Sequence, residues 1–278
     1  VHVGWRVISF AVTAYEESRR NNFAWIRECL APAAAHPFVS EIIVVDDGSS
    51  DVNGLAAAIA GTPKLRLEHL EVNHGVFGAK LESVIRASRP WVMMADSDNV
   101  FGADYFDRLA ALCPFNAGTL YSPSFGKPAL DYREMVGRWT VENCAELVKH
   151  RLSGCGLNTG NQFVSRGAFV AQFMRYRGPR FDLMLPDYFG IGDRSDLKWR
   201  RVYDSADSFF INKEWMLGGG AMEIVPNLAY IHGSLTPEHQ RLVRSSWEQA
   251  PAEKDRLPPI FTRELLDAAG RKAVASWA

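Results

Sequence analysis

Blocks of apolar and polar residues alternate along the first hundred positions. Trp5-Arg6-Val7-Ile8-Ser9-Phe10-Ala11-Val12 predicts a first strand over 5–12. A polar segment, Thr13 to Asn22, follows it. Phe23, Ile26, Leu30 and several alanines then fall on one side of a helix over 23–35, with Pro37 beyond it as a stop. Glu41-Ile42-Ile43-Val44-Val45 predicts a second strand that runs into Asp46-Asp47-Gly48-Ser49-Ser50-Asp51, where Asp51 can open the next helix. Leu65 to Leu70 alternates as a third strand, and residues 78–87 read as a helix. Past Pro90, the apolar run Trp91-Val92-Met93-Met94-Ala95 forms a fourth strand and ends abruptly in Asp96-Ser97-Asp98. This alternation of strand and helix predicts a largely parallel sheet with helices on both faces.

The rest of the chain is less regular. Helices are expected over 106–112 and 142–152, a strand over 119–123, and a strand–helix step over 163–174. Residues 178–206 carry many charges, glycines and aromatics and read as loops. Residues 221–231 read as a strand broken at Pro226-Asn227. A tail from Thr236 contains Pro251, Pro258 and Pro259 and one short amphipathic helix around 263–274. The expected organisation is one domain over 1–235, with a regular half over 1–110 and an irregular half over 111–235, followed by a tail over 236–278.

Composition narrows the classes. The chain has 278 residues, 47% apolar and 23% charged, which supports a sizeable core. Its net charge of −1 argues against a general nucleic-acid binder. No stretch approaches the ~20 apolar residues of a membrane span, and no leader is visible, so a cytoplasmic protein is expected. Cys29, Cys113, Cys144 and Cys155 are scattered without metal spacing and read as reduced thiols.

The candidate chemistry lies at three strand ends. The first carries Thr13, Tyr15, Glu16 and Glu17, the second Asp46-Asp47-Gly48, the fourth Asp96-Ser97-Asp98. In an open α/β sheet these ends line one crevice. Two close carboxylates repel each other unless a cation sits between them, and hard oxygen ligands at this spacing suit a divalent metal that also holds phosphate. Acids can accept from a ribose or from a base imide but cannot bind a diphosphate directly. Lys80 is the candidate cation for that role. There is no Walker loop, and Gly154-Cys155-Gly156-Leu157-Asn158-Thr159-Gly160 does not match the dinucleotide spacing.

With these motifs the chain resembles the inverting, GT-A-type glycosyltransferases of family 2. Tyr15-Glu16-Glu17 resembles the family's segment after the first strand. Glu41 to Asp51 resembles its Val-Val-Asp-Asp-Gly-Ser-Thr-Asp motif, departing at Ser50. Asn73-His74-Gly75 through Asp98 follows its pattern without a gap, with Lys80 and Leu81 where arginine and asparagine are usual, and Asp96-Ser97-Asp98 falls on its Asp-x-Asp. The resemblance covers roughly the first 110 residues. It implies a GT-A fold with a Rossmann-like, mostly parallel sheet, a nucleotide-sugar-binding half over 1–110, and an acceptor-binding and catalytic half over 111–235. It also implies a nucleotide-diphospho-sugar donor, UDP-sugar favoured. Thr13, Tyr15 and Glu17 would frame the nucleoside, Asp46 would accept from the base imide, Asp96 would meet the ribose with or without a share of the metal, Ser97 would join the donor site, and Asp98 would bind Mn2+ or Mg2+ through the diphosphate.

An inverting transfer also needs a carboxylate to take the acceptor proton. The family's Glu-Asp motif corresponds to the region Tyr203-Asp204-Ser205-Ala206-Asp207 here, with alanine in place of glutamate. Counting back from Gly218 indicates Asp207 as base, with Asp204 as the alternative. His232 stands at the interval after Val225-Pro226 where some members complete the metal site. Tyr188, Phe189 and Trp199 are candidates for stacking on an acceptor sugar, beside Trp139 and Trp215, for which core packing is the competing reading. Arg194, Lys198, Arg200 and Arg201 form a basic cluster that reads as a solvated loop or as an attractor for an anionic acceptor. The expected partners are therefore a UDP-sugar and a glycan or lipid-linked glycan, with contact at the inner face of a membrane and surface polysaccharide synthesis as the setting. A sugar nucleotidyltransferase would instead carry a basic, glycine-rich loop after the first strand, and this chain has Thr13-Ala14-Tyr15-Glu16-Glu17. A non-catalytic sugar-nucleotide binder is the other alternative, kept open by Ala206.

Overall fold

The computed structural model describes residues 8–127, 130–144, 146, 161–178, 206–232 and 268. Asp204, the loop from 179 to 205, the Gly154–Gly160 segment and the tail other than Ala268 lie outside these, as does most of the helix expected over 142–152.

Four parallel strands form the regular half. They are β1 (Ile8–Ala14), β2 (Val39–Asp46), β3 (Leu65–His69) and β4 (Trp91–Asp96), in the spatial order β3-β2-β1-β4. The helices between them are α1 (Glu17–Asn21), α2 (Ala24–Ala35), α3 (Val52–Ile59) and α4 (Gly75–Arg86). The expected order of elements is therefore present, and Asp51 does cap α3, accepting from the Gly54 N–H at 2.9 Å.

Successive residues of each central strand enter opposite cores, as the two-residue period of a strand requires. Phe10, Val12, Ile42, Val44, Met93 and Ala95 join one cluster with Ile26 and Leu30 of α2. Ala11, Ile43, Val45, Val92 and Met94 join the other with Phe77, Leu81 and Val84 of α4. Burial on both faces explains why these strands read as continuous apolar runs. Ala268 of the expected tail helix is partly buried against the second cluster.

Beyond β4 the sheet becomes mixed. The chain adds β5 (Asn99–Phe101), α5 (Tyr105–Ala110), β6 (Thr119–Lys127), β7 (Leu130–Asp131), β8 (Gly137–Trp139), β9 (Gln162–Ser165), α6 (Arg166–Phe173), α7 (Ala206–Leu217) and β10 (Ala221–His232). The sheet continues from β4 through β9, β6 and β10 to β5. β9 is antiparallel to both β4 and β6, β10 is parallel to β6, and β5 is antiparallel to β10. The strand expected over 221–231 is continuous rather than broken. Pro226-Asn227 instead makes a register shift against β6 between Val225 and Ala229, with Asn227 at φ 60°. A proline without an N–H is accommodated in a sheet by such an irregularity.

The loop after β2 fastens α4. Both Asp47 oxygens accept backbone N–H groups at the helix start, from His74 at 2.7 Å and Gly75 at 3.0 Å. Gly48 stands at φ +77°, and a side chain there would bring a Cβ within 2.9 Å of the Asn73 nitrogen. Farther along α4, the buried Glu82 carboxylate binds Arg86 at 3.1 Å and Arg177 at 2.6 Å, so the helix is held at both ends.

Burial pushes the Asp47 pKa up from 3.8 to about 7, against the two N–H bonds that lower it and with Asp46 adding to the rise. The folded chain thus holds the proton more tightly than the unfolded one. The contribution to stability is full below the ordinary carboxylate range and is lost as pH rises through about 7. Asp47→Asn should flatten this part of the stability–pH curve, removing a loss on the order of 2 kcal/mol that the wild-type chain shows between pH 4 and pH 7 in denaturant titrations. A wild-type curve already flat over that interval would contradict the assignment.

Candidate active site

The parallel register sets the site. Thr13 lies opposite Val45 on one side and Asp96 on the other, and Ala14 lies opposite Asp46. The carboxyl ends of β1, β2 and β4 therefore finish in one row. The Thr13 hydroxyl donates to Asp96 Oδ1 at 3.2 Å, and Tyr15 just beyond is 46% exposed.

The loops after β1 and β2 are stitched together by Glu16, which stands at φ 52°. Its carboxylate accepts from the Ser50 N–H at 2.9 Å and the Ser50 hydroxyl at 3.1 Å, while its own N–H donates to Ser49 Oγ at 2.8 Å. The Ser50 N–H bond is the chief cause that lowers its pKa, against a weaker desolvation. Glu17, expected at the nucleoside, is buried and accepts from the hydroxyl of Ser97, itself buried. Asp46, expected at the base imide, is fully buried. It takes the Ser49 N–H at 3.2 Å, the Ser49 hydroxyl, and His69 Nδ1 at 2.7 Å. These bonds tie the turn after β2 to β3.

Asp98 is buried, and its Oδ1 lies 3.9 Å from His232 Nδ1. The meeting follows from β5. The chain reverses immediately after Asp98, and Asn99 pairs with His232 at the end of β10. Asn99 Nδ2 donates to Asn161 Oδ1 at 2.9 Å, which turns its Oδ1 toward His232 Nδ1 at 2.8 Å. Nδ1 then carries the hydrogen, and Nε2 keeps the lone pair that a metal would use. Among the described residues no group of three or more His, Cys, Asp or Glu side chains could hold a metal ion. One carboxylate and one imidazole still fit a Mn2+ or Mg2+ whose other ligands are phosphate oxygens and water, because such ions need no all-protein cage.

Lys80, expected at the diphosphate, is 1% exposed and points instead into a pair of acids. Its Nζ lies 3.1 Å from Asp96 Oδ1 and also contacts Asp207 Oδ2. Burial pulls the ammonium's pKa down, but Asp207 and then Asp96 outweigh it and raise the pKa above its ordinary value. Asp96 is raised in turn, chiefly by desolvation and against Lys80. Asp207 sits in the first turn of α7, where a carboxylate meets the positive end of the helix dipole. Phe77 and Phe210, each three residues from Lys80 and Asp207, stack edge to face at 4.9 Å and lock α4 against α7.

The structure thus brings Thr13, Lys80, Asp96 and Asp207 into one chain of contacts and sets Asp98 beside His232. Sequence reasoning missed the roles of Asn99 and Asn161, the bonds by which Glu16 joins two loops, and the capping role of Asp47. Asn99 directly follows the acid pair, which was the available signal. Trp215 is core, its Nε1 donating to the Ala221 carbonyl at 3.0 Å, and Trp139 packs partly buried against the same core. Tyr188, Phe189, Trp199 and the basic cluster of 194–201 lie outside the described residues. Cys29, Cys113 and Cys144 carry free thiols.

Among known proteins, the chain is 31% identical over 86 residues to the succinoglycan biosynthesis protein ExoU of Rhizobium meliloti (strain 1021). That match covers 30% of this chain and 25% of the relative, so the aligned part spans about a quarter of the relative's length. In structure it is similar to residues 1–349 of S. aureus TarS in complex with UDP, at a TM-score of 0.56 and 17% identity, covering 92% of this chain and 70% of that one. It is also similar to the mannosyltransferase PcManGT of Pyrobaculum calidifontis in complex with GDP-Man and Mn2+, at a TM-score of 0.52 and 14% identity, covering 98% and 75%. These likenesses bear out the GT-A fold. The model of glycosyl transferase family 2 matches residues 9–152, more than half of the chain, and the protein belongs to that family.

Proposed function

We propose that the protein moves a sugar from a nucleotide-diphospho-sugar, in the first instance a UDP-sugar, to a hydroxyl of a glycan or lipid-linked glycan, with inversion and with a divalent metal, in surface polysaccharide synthesis. The observation that carries this reading is the meeting of Asp96 and Asp207 on Lys80 at the carboxyl ends of the parallel strands, next to Asp98 and His232. The UDP bound to the similar TarS structure supports the donor, and the biosynthetic role of ExoU supports the setting. No helix among the described residues is long and apolar enough to cross a membrane. The proposed place of a lipid-linked acceptor is the membrane's inner face.

In this mechanism the exposed Tyr15 ring stacks on the base. Thr13 and Asp96 face the ribose, and Asp46 and Glu17 hold the surrounding loops through Ser49 and Ser97. Asp98 and His232 would hold Mn2+ or Mg2+, which when bound supplies positive charge against the diphosphate as it leaves. Asp207 takes the proton of the acceptor hydroxyl while that oxygen bonds to the sugar's anomeric carbon. The carbon–oxygen bond to the diphosphate breaks on the opposite side, so configuration inverts and the nucleoside diphosphate departs.

Donor hydrolysis and transfer should require Mn2+ or Mg2+ and fall to background with chelator. Asp98→Ala should abolish the Mn2+-dependent part of UDP binding in calorimetry, and unchanged binding would remove Asp98 from the metal. Tyr15→Ala should weaken UDP by about tenfold through lost stacking. Asp207→Asn should bind donor normally and lose transfer by about 100-fold or more. Tight UDP binding by the wild-type chain without turnover on any acceptor would instead assign a binding module.

A further inference from the structure

We propose that Lys80 is a positioning residue that links the donor side of the site to the base, its ammonium setting where the Asp207 carboxylate stands. The inference rests on the glycosyl-transfer reading, but its geometry is independent of the sugar. Lys80 is 1% exposed, so its charge has no open face to offer a phosphate. Nζ spans the two Asp96 oxygens at 3.1 and 3.3 Å and contacts Asp207 Oδ2, joining β4 to a helix that begins more than a hundred residues later.

A buried ion pair of this kind is weak evidence for stability, because an apolar replacement of similar volume often folds as well. Its value must lie in what it positions. Of the two partners, Asp96 is the more exposed. Its side chain is 27% exposed, and its Oδ1 receives the Thr13 hydroxyl on the ribose side. A nucleotide that engages Thr13 and Asp96 therefore changes the contacts of the group that shares Lys80 with Asp207. Asp207 has little freedom to answer except through Lys80, because Phe210 one turn along α7 is wedged against Phe77 at 4.9 Å and Tyr176 at 4.9 Å. Donor occupancy is in this way coupled to base position through one ammonium.

Lys80→Met and Lys80→Arg separate this role from a phosphate contact and from a purely structural one. With UDP-sugar and Mn2+, Lys80→Met should lower kcat by about 100-fold. It should leave donor KM and the UDP dissociation constant within about threefold of wild type, and Lys80→Arg should recover about tenfold or more of the lost kcat. A raised donor KM with kcat intact would overturn the proposal in favour of a diphosphate contact. Should Lys80→Met fail to fold, the wild-type chain with 15N-labelled lysine supplies the test. A solvent-protected Lys80 ammonium signal should move both on addition of UDP with Mn2+ and on Asp207→Asn. A signal indifferent to either change overturns the coupling. Absence of transfer by the wild-type chain would count against the transferase reading, while the ammonium response to Asp207→Asn would still report on the pair.

Discussion

A buried lysine has to be matched by negative charge, and that requirement organises this protein. The ammonium of Lys80 is cut off from water, where an isolated ion is unfavourable by several kcal/mol. Asp96 and Asp207 make it tolerable, and each of those acids would be strained beside the other without it. The first ends a strand of the regular half and the second begins a helix of the irregular half. The charge balance therefore works only when both halves are in place.

Much of the remaining structure serves to hold these three groups. α4 is capped by Asp47 at its start and held through Glu82 by two arginines farther along. The aromatic wedge of Phe77, Phe210, Phe173 and Tyr176 fills the space between α4, α6 and α7. The hydrogen-bonded row Asn161–Asn99–His232 fixes the imidazole beside Asp98 with neutral amides rather than a further charge. The site thus has a buried ionic centre and a polar, partly open edge. This division suits a reaction in which one group holds still while a charged nucleotide comes and goes.

The four strands and helices α2, α3 and α4 of residues 8–96 were legible from pattern, whereas α1 (Glu17–Asn21) lies in what read only as a polar segment. Strands buried on both faces read as apolar runs, and Asp51 and the glycine of Asp47-Gly48 mark turns with a local mechanism. The second half was less legible because its sheet is mixed. β9 enters antiparallel between β4 and β6, a choice that nothing local to Gln162–Ser165 records. Pro226-Asn227 looked like a break because a missing N–H is a local fact, whereas the continuity of β10 depends on its neighbour β6.

The sequence by itself determined the family, the order of strand and helix, and the acids at the strand ends, because these depend on short-range period and on motif spacing. Tertiary structure decided how deeply each of these acids is buried and which partners it meets. Asp46 was bound to Ser49 and His69, Lys80 was turned away from solvent toward Asp207, and His232 was brought to Asp98 by the pairing of β5 with β10. The reason is physical. The role of a charged side chain is set by the desolvation it undergoes and the partners it meets, and both depend on residues far away along the chain.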